Sequence, residues 1–263
     1  MAQVLLARAF FAIVVCSSVW GCGTEFTSAN AGADASGVSA TSNLPRRGLL
    51  LWLRSDRGVT NTDGYVSLWA DQSGHNFDAT QDDPNFRPTQ VVGGIAGHPA
   101  VHFDGSDDFL NLPTLTADFA AGLTIFAVVN EQTPASYNSI VEFSNGSETD
   151  DIDFGEYQDN LAYEVADNST TGNSLTYGVA QLVGVVHRAD TTLVLRSNGQ
   201  NAGAAQFALP DSTAREQNFV GKSLYGDSAT FPGLLAELLV YGRALNEVEV
   251  QAVETELKGR WGF

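Results

Sequence analysis

The chain has 263 residues, 43% of them hydrophobic, and carries 31 Asp and Glu against 13 Lys and Arg for a net charge of −18. That length builds a real core in one large domain. The charge repels phosphate backbones and anionic lipid headgroups, so nucleic-acid binding and polybasic membrane attachment are excluded.

The first 21 residues read as an export signal. Arg8 precedes a short apolar run, Ala9 to Val15, broken by Cys16, Ser17 and Ser18. The run is too short for a transmembrane helix of about 20 residues and has the size of a signal-peptide core. Val19-Trp20-Gly21-Cys22 then resembles a bacterial lipobox, which makes Cys22 the lipid-attachment residue. An ordinary signal cut after Ala31 is the alternative. Cys16 and Cys22 are the only cysteines, so the processed chain holds no internal disulfide. Residues 22–47, rich in Ser, Thr, Ala, Gly and Asn, read as a lipidated Cys and a flexible tether, with an r.m.s. span of about 25 Å. The implied location is the cell envelope, with the outer membrane or surface as the lipid-anchored site and a secreted or periplasmic protein as the alternative.

From residue 48 to 263 the pattern is a single β domain. Apolar or alternating runs occur at Gly48–Leu53, Tyr65–Trp69, Val101–Asp104, Leu123–Val129, Ser139–Phe143, Ile152–Phe154, Leu161–Val165, Leu182–Val186, Thr191–Leu195 and Gly233–Tyr241. Short strands with frequent turn signals predict an antiparallel sandwich. Asn198-Gly199 predicts a type I′ hairpin. One helix follows, with Asn246 as N-cap, Glu249 completing a capping box and Leu245 with Val250 as a hydrophobic staple. Val250, Val253, Leu257 and Trp261 share one face, predicted to cover a mouth or edge of the sandwich.

Several segments in order resemble bacterial laminin G-like, concanavalin A-like modules. They are Leu51-Trp52-Leu53, Val66 to Gly74, Asp78 to Gln81, Arg87-Pro88-Thr89, Pro99 to Gly105, Asp107 to Leu110, Leu123 to Val129 and Phe231 to Tyr241, with Arg243-Ala244-Leu245 leading into the helix. The resemblance implies an all-β, two-sheet antiparallel jelly-roll sandwich with a short C-terminal helix. It also implies binding to carbohydrate, an envelope glycoconjugate or a surface protein, often with calcium.

The chemistry-bearing runs are acidic. Asp71 to Asp78 and Asp104 to Asp108 pack oxygen ligands, yet Asp, Ser and Gly in that order also build turns. Gly221 to Phe231, the loop that in pentraxin-like relatives supplies calcium carboxylates, offers only Asp227. Asp150, Asp151, Asp153 and Glu156 are the candidate ligand or cation contacts, and the identity of any metal is left open. Laminarinase-like glycoside hydrolases on this fold carry a Glu-x-Asp-x-x-Glu strand, and here Asp151 stands where their nucleophile is, with Glu156 as the acid/base. A retaining pair must lie about 5–5.5 Å apart on one face, which needs a bulge at Gly155 and more reach than Asp supplies. Trp52, Trp69 and Trp261 occupy core-like positions, which leaves Tyr157, Tyr163, Tyr177 and Tyr225 as candidate sugar platforms. The expectation is a binding module and not an enzyme, with a glycoside hydrolase or a purely structural adhesion domain as alternatives.

Overall fold

A computed structural model describes residues 43–146, 149–225 and 229–263. The signal segment, Cys22, most of the expected tether and Asp227 lie outside the described residues. The strands are β1 (Leu49–Arg54), β2 (Val59–Thr62), β3 (Tyr65–Trp69), β4 (Ala79–Thr80), β5 (Thr89–Ile95), β6 (His98–Asp104) and β7 (Leu110–Leu112). There follow β8 (Leu115–Thr116), β9 (Leu123–Glu131), β10 (Tyr137–Ser144), β11 (Ile152–Tyr157), β12 (Asn160–Val165) and β13 (Asn168–Ser174). The chain continues with β14 (Gln181–His187), β15 (Thr192–Ser197), β16 (Gln200–Gln206), β17 (Ala214–Arg215), β18 (Gln217–Val220), β19 (Pro232–Tyr241) and the helix α1 (Glu247–Trp261).

Pairing sorts all of these strands but β8 and β17, which pair with each other, into two antiparallel layers. One runs β16-β15-β14-β9-β19, with β1 along one half of the far edge of β19 and β6 and then β5 along the other. The second runs β2-β3-β4-β7-β18-β10-β11-β12-β13. The single pairing Tyr65↔Thr89 joins them at one corner. The expected two-sheet sandwich is therefore the observed architecture. Asn198 and Gly199 both take positive φ, 51° and 84°, as the type I′ turn requires.

β19 is buried on both faces. Leu235, Leu238 and Val240 enter the core between the layers, with Phe103, Ile125, Phe143, Phe154 and Trp69. Leu234, Ala236, Leu239 and Tyr241 face the other way and pack with Val250, Val253, Leu257 and Trp261 of α1. The helix thus covers the outer face of the first layer, and the mouth or edge expected for it is corrected. A bulge between Leu235 and Glu237 turns Glu237 into this second core, where it is fully buried. Its carboxylate accepts from the indoles of Trp52 (2.5 Å) and Trp261 (2.6 Å) and from Arg260 (2.5 and 2.7 Å). Charge-assisted bonds of this kind satisfy a buried carboxylate that would otherwise cost several kcal/mol, on the order of 3–5. The three tryptophans among the described residues are packing residues, as expected: Trp52, Trp69 and Trp261 are at most 4% exposed.

Candidate functional site

Three strands of the second layer share a simple pattern: an acid flanked by large apolar residues, as in Val141-Glu142-Phe143, Ile152-Asp153-Phe154 and Tyr163-Glu164-Val165. Because side chains alternate, the apolar neighbours fill the core and each acid emerges on the opposite, outer face. Register aligns them: Glu142 lies opposite Asp153, and Asp153 opposite Glu164. The same alternation brings Gly155 and then Tyr157 to the outer face of β11, with Tyr137 opposite Tyr157 and Ala162 opposite Gly155. Four strand residues separate Asp153 from Tyr157, about 13 Å. Between them, Ala162 adds little side-chain bulk, while the Asn138 carbonyl closes over Gly155.

A cavity of about 280 Å³ opens over Ala162, lined by Tyr137, Tyr157 and Tyr225 and by Asp153, Glu164 and Asp167. The ring of Tyr137 lies 5.1 Å from that of Tyr225 and 6.5 Å from that of Tyr157. Tyr157 and Tyr225 are 45% and 47% exposed, which leaves their faces open to a ligand. Asp153 is only 4% exposed and lines the cavity; its Oδ2 has no accessible surface, and the side chains of Ser139 and Glu142 lie against its carboxyl. Burial, and then the adjacent Glu142 carboxyl, holds Asp153 well above the ordinary carboxylate range. Burial and the charge of Asp153 likewise raise the Tyr137 phenol. Glu142 is satisfied by Ser144 Oγ (2.8 Å) and the Leu224 N–H (3.0 Å).

Of the four acids singled out in the sequence, only Asp153 reaches this cavity. Asp150 turns the chain at φ 54°, and its carbonyl accepts from Arg215 Nε at 2.5 Å. Asp151 is 6% exposed, and its charge acts on the same Arg215. Glu156 lies between the layers, fully buried, accepting from Asn138 Nδ2 (2.5 Å) and the Tyr177 hydroxyl (2.5 Å) beside Glu131. β11 and β12 pair in regular register from Ile152 to Tyr157, so no bulge occurs at Gly155. The irregularity sits on β10 between Ser139 and Val141, and it presses the Asn138 carbonyl to 2.1 Å from where a Gly155 Cβ would be. Asp153 and Glu156 consequently open to opposite sides of one strand. Tyr163 is buried and bonded to His187 Nδ1 (3.2 Å), and Tyr177 is engaged with Glu156 and Asp159, so neither is a platform.

Both acidic loops are turns. Asp71 Oδ1 accepts from the N–H groups of Trp52 and Ser73, and Oδ2 from Ser73 Oγ and the Phe77 N–H. Asp104 Oδ1 accepts from the N–H groups of Ser106 and Asp107, and Asp108 Oδ2 from that of Asp104. Among the described residues, Asp104, Asp107 and Asp108 are the one set of three acids whose oxygens come within 4.8 Å of one another. Burial, followed by the Asp104 charge, pushes Asp108 up to about 7. These three are the residues that would hold a calcium ion, although the turn's own N–H groups already engage two of the oxygens.

A family model spans residues 104–251, more than half of the chain and running from the end of β6 into α1. The chain belongs to the concanavalin A-like lectin/glucanases superfamily. Within that superfamily's fold, domain 4 of AbnA, a GH43 extracellular arabinanase from Geobacillus stearothermophilus solved with arabinotriose, aligns at TM-score 0.59 and 15% identity, over 78% of this chain and 97% of that one. The Trypanosoma rangeli sialidase in complex with sialic acid aligns at 0.57 and 14%, over 80% of this chain and 33% of that one. The chain therefore spans about a third of the sialidase. The binding domain of Paraclostridial Mosquitocidal Protein 1 aligns at 0.56 and 13%, over 80% and 52%. At these identities the likeness is one of fold. No curated protein sequence matches the chain.

The sequence reading missed Tyr137, Glu142 and Glu164. The signal for the two acids was present, since each is the lone charge at the centre of an apolar strand.

Proposed function

We propose that this chain is a glycan-binding module whose site is the outer-face cavity of β10–β13, held at the cell envelope through Cys22. The observation that carries the reading is the pairing of exposed aromatic rings, Tyr157 and Tyr225, with the carboxyls of Asp153, Glu164 and Asp167 around one cavity of about 280 Å³. A sugar ring offers apolar C–H faces to tyrosines and hydroxyl donors to a carboxylate, which is the composition expected of small-ligand sites. The arabinotriose complex of the structurally similar AbnA domain supports the same reading. A binding role is favoured over hydrolysis because neither member of the candidate pair lines the cavity: Asp151 precedes β11 beside Arg215, and Glu156 is fully buried on Asn138 and Tyr177, whereas a retaining pair must face one scissile bond across about 5–5.5 Å.

Glycan-array screening followed by calorimetric titration tests the proposal. Tyr157→Ala and Tyr225→Ala are each expected to weaken binding by about tenfold or more. Both rings are half exposed, so the melting temperature should hold. Reducing-end release from bound glycans should stay at background. Binding unchanged in both variants would remove the site from this cavity.

A further inference from the structure

We infer that the cavity selects sugars bearing a free, protonated amine over neutral and acidic sugars. The inference rests on the reading of the cavity as a sugar site. Its titratable walls beside the tyrosines are all carboxyls: Asp153, Glu164 and Asp167 line it, with Glu142 opposite Asp153 on the next strand, and no Lys or Arg is among its described lining residues. A carboxylated sugar would bring a further negative charge against these groups in a partly desolvated space, where like charges repel strongly.

A neutral hydroxyl donates one hydrogen bond to Asp153 and leaves the crowding of carboxyls unrelieved. An ammonium supplies three donors and a positive charge. It meets the Asp153 carboxyl that lines the cavity and offsets the crowding of acids along the Glu142–Asp153–Glu164 row. The tyrosine faces across the cavity favour a cation as well.

A hard metal ion fits less well here. It needs six or more oxygens converging at about 2.3–2.6 Å. Among the described residues the converging acidic triplet is Asp104, Asp107 and Asp108, not this row. Both Glu142 oxygens are already committed, to Ser144 and Leu224. The amine of a hexosamine at Asp153 leaves its ring, or the next one, over Ala162 toward Tyr157.

The test is calorimetric titration of the full-length protein with four oligosaccharides: the glucosamine tetramer, its fully N-acetylated form, cellotetraose and tetragalacturonate, all with EDTA present. The glucosamine tetramer should bind at least about tenfold tighter than the acetylated and neutral tetramers, with tetragalacturonate weakest. Because a chain of net charge −18 attracts any polycation, the decisive variant is Asp153→Asn, which removes one ionisable carboxyl and keeps the side-chain shape. It should erase the preference, and Glu164→Gln should reduce it. An exposed control, Asp211→Asn, should leave it intact.

A preference that survives Asp153→Asn, or equal binding of the acetylated or neutral tetramer, overturns the amine selectivity. If those tetramers bind and Tyr157→Ala weakens them, the sugar site itself stands. If no tetramer binds the folded protein, the reading of the cavity as a sugar site fails, and the inference with it.

Discussion

Two carboxyl groups from different layers meet behind Asn138. Glu131 ends β9 and Glu156 belongs to β11; both are at most 1% exposed, and the Asn138 amide donates to each. Burial, and then the hydrogen bond and charge of Glu156, pushes Glu131 up to about 10. The folded pair therefore keeps a proton that an unfolded Glu releases above about pH 4.3. A raised carboxyl pKa means that the folded state binds more protons, so this contribution is full below about pH 4.3 and is lost as pH rises toward the folded value near 10. Glu131→Gln supplies the donor permanently. Its stability relative to wild type should climb with pH, by at most about 1.4 kcal/mol per unit, when urea midpoints are compared at about pH 5, 7 and 9. Parallel curves would mean that the pair holds no proton. Glu156 stood out in the sequence because it ends an acidic run. Its real partners did not, because Glu131 lies on a distant strand that only the closed sandwich brings near.

At the scale of elements, α1 is held by local chemistry at its start and by tertiary contacts along its length. Asn246 Oδ1 accepts from the Glu249 N–H and Glu249 reaches back to the Asn246 N–H, both at 3.0 Å, while Gly262 closes the helix at φ 74°. Lys258 caps the Asn198 carbonyl of the β15–β16 turn (2.6 Å), and Glu254 pairs with Arg196 through two bonds (2.7 and 2.9 Å). Trp261 is fully buried against His98, with its indole N–H on Glu237. Trp261→Ala should cost about 3–5 kcal/mol, a fall in melting temperature of roughly 6–20 °C for a domain of this size. Trp261→Phe should recover part of that loss by restoring ring packing. A melting curve unmoved by the alanine variant would contradict the second core. The capping box was legible in the sequence because it is a contact within four residues. The face that the helix covers was not, since it depends on β19 burying both of its sides. Apolar strands such as β1, β9, β14 and β19 were legible for a similar reason. Polar ones such as β13, Asn168–Ser174, were not, because their backbone pairs with β12 without any apolar alternation in the side chains.

For the molecule as a whole, address and recognition are separable. The chain's net charge of −18 is repelled by anionic headgroups, and among the described residues no helix is long and apolar enough to cross a membrane. The proposed anchor places membrane attachment on acyl chains at Cys22. One chain gives only marginal, reversible binding, whereas two or more anchor stably. Cys22→Ser should move the protein from the detergent to the aqueous phase on temperature-induced phase separation, and the wild-type N-terminal peptide should carry acyl mass on Cys22. The melting temperature and the sugar affinity of the variant should match those of the wild type, because the cavity and both cores are built from residues beyond 43. A wild-type N-terminus at Gly32 or Ala33 without acyl mass would replace the anchor with ordinary secretion. The site on β10–β13 would be untouched by that outcome, since none of the groups that form it depends on how the chain is tethered.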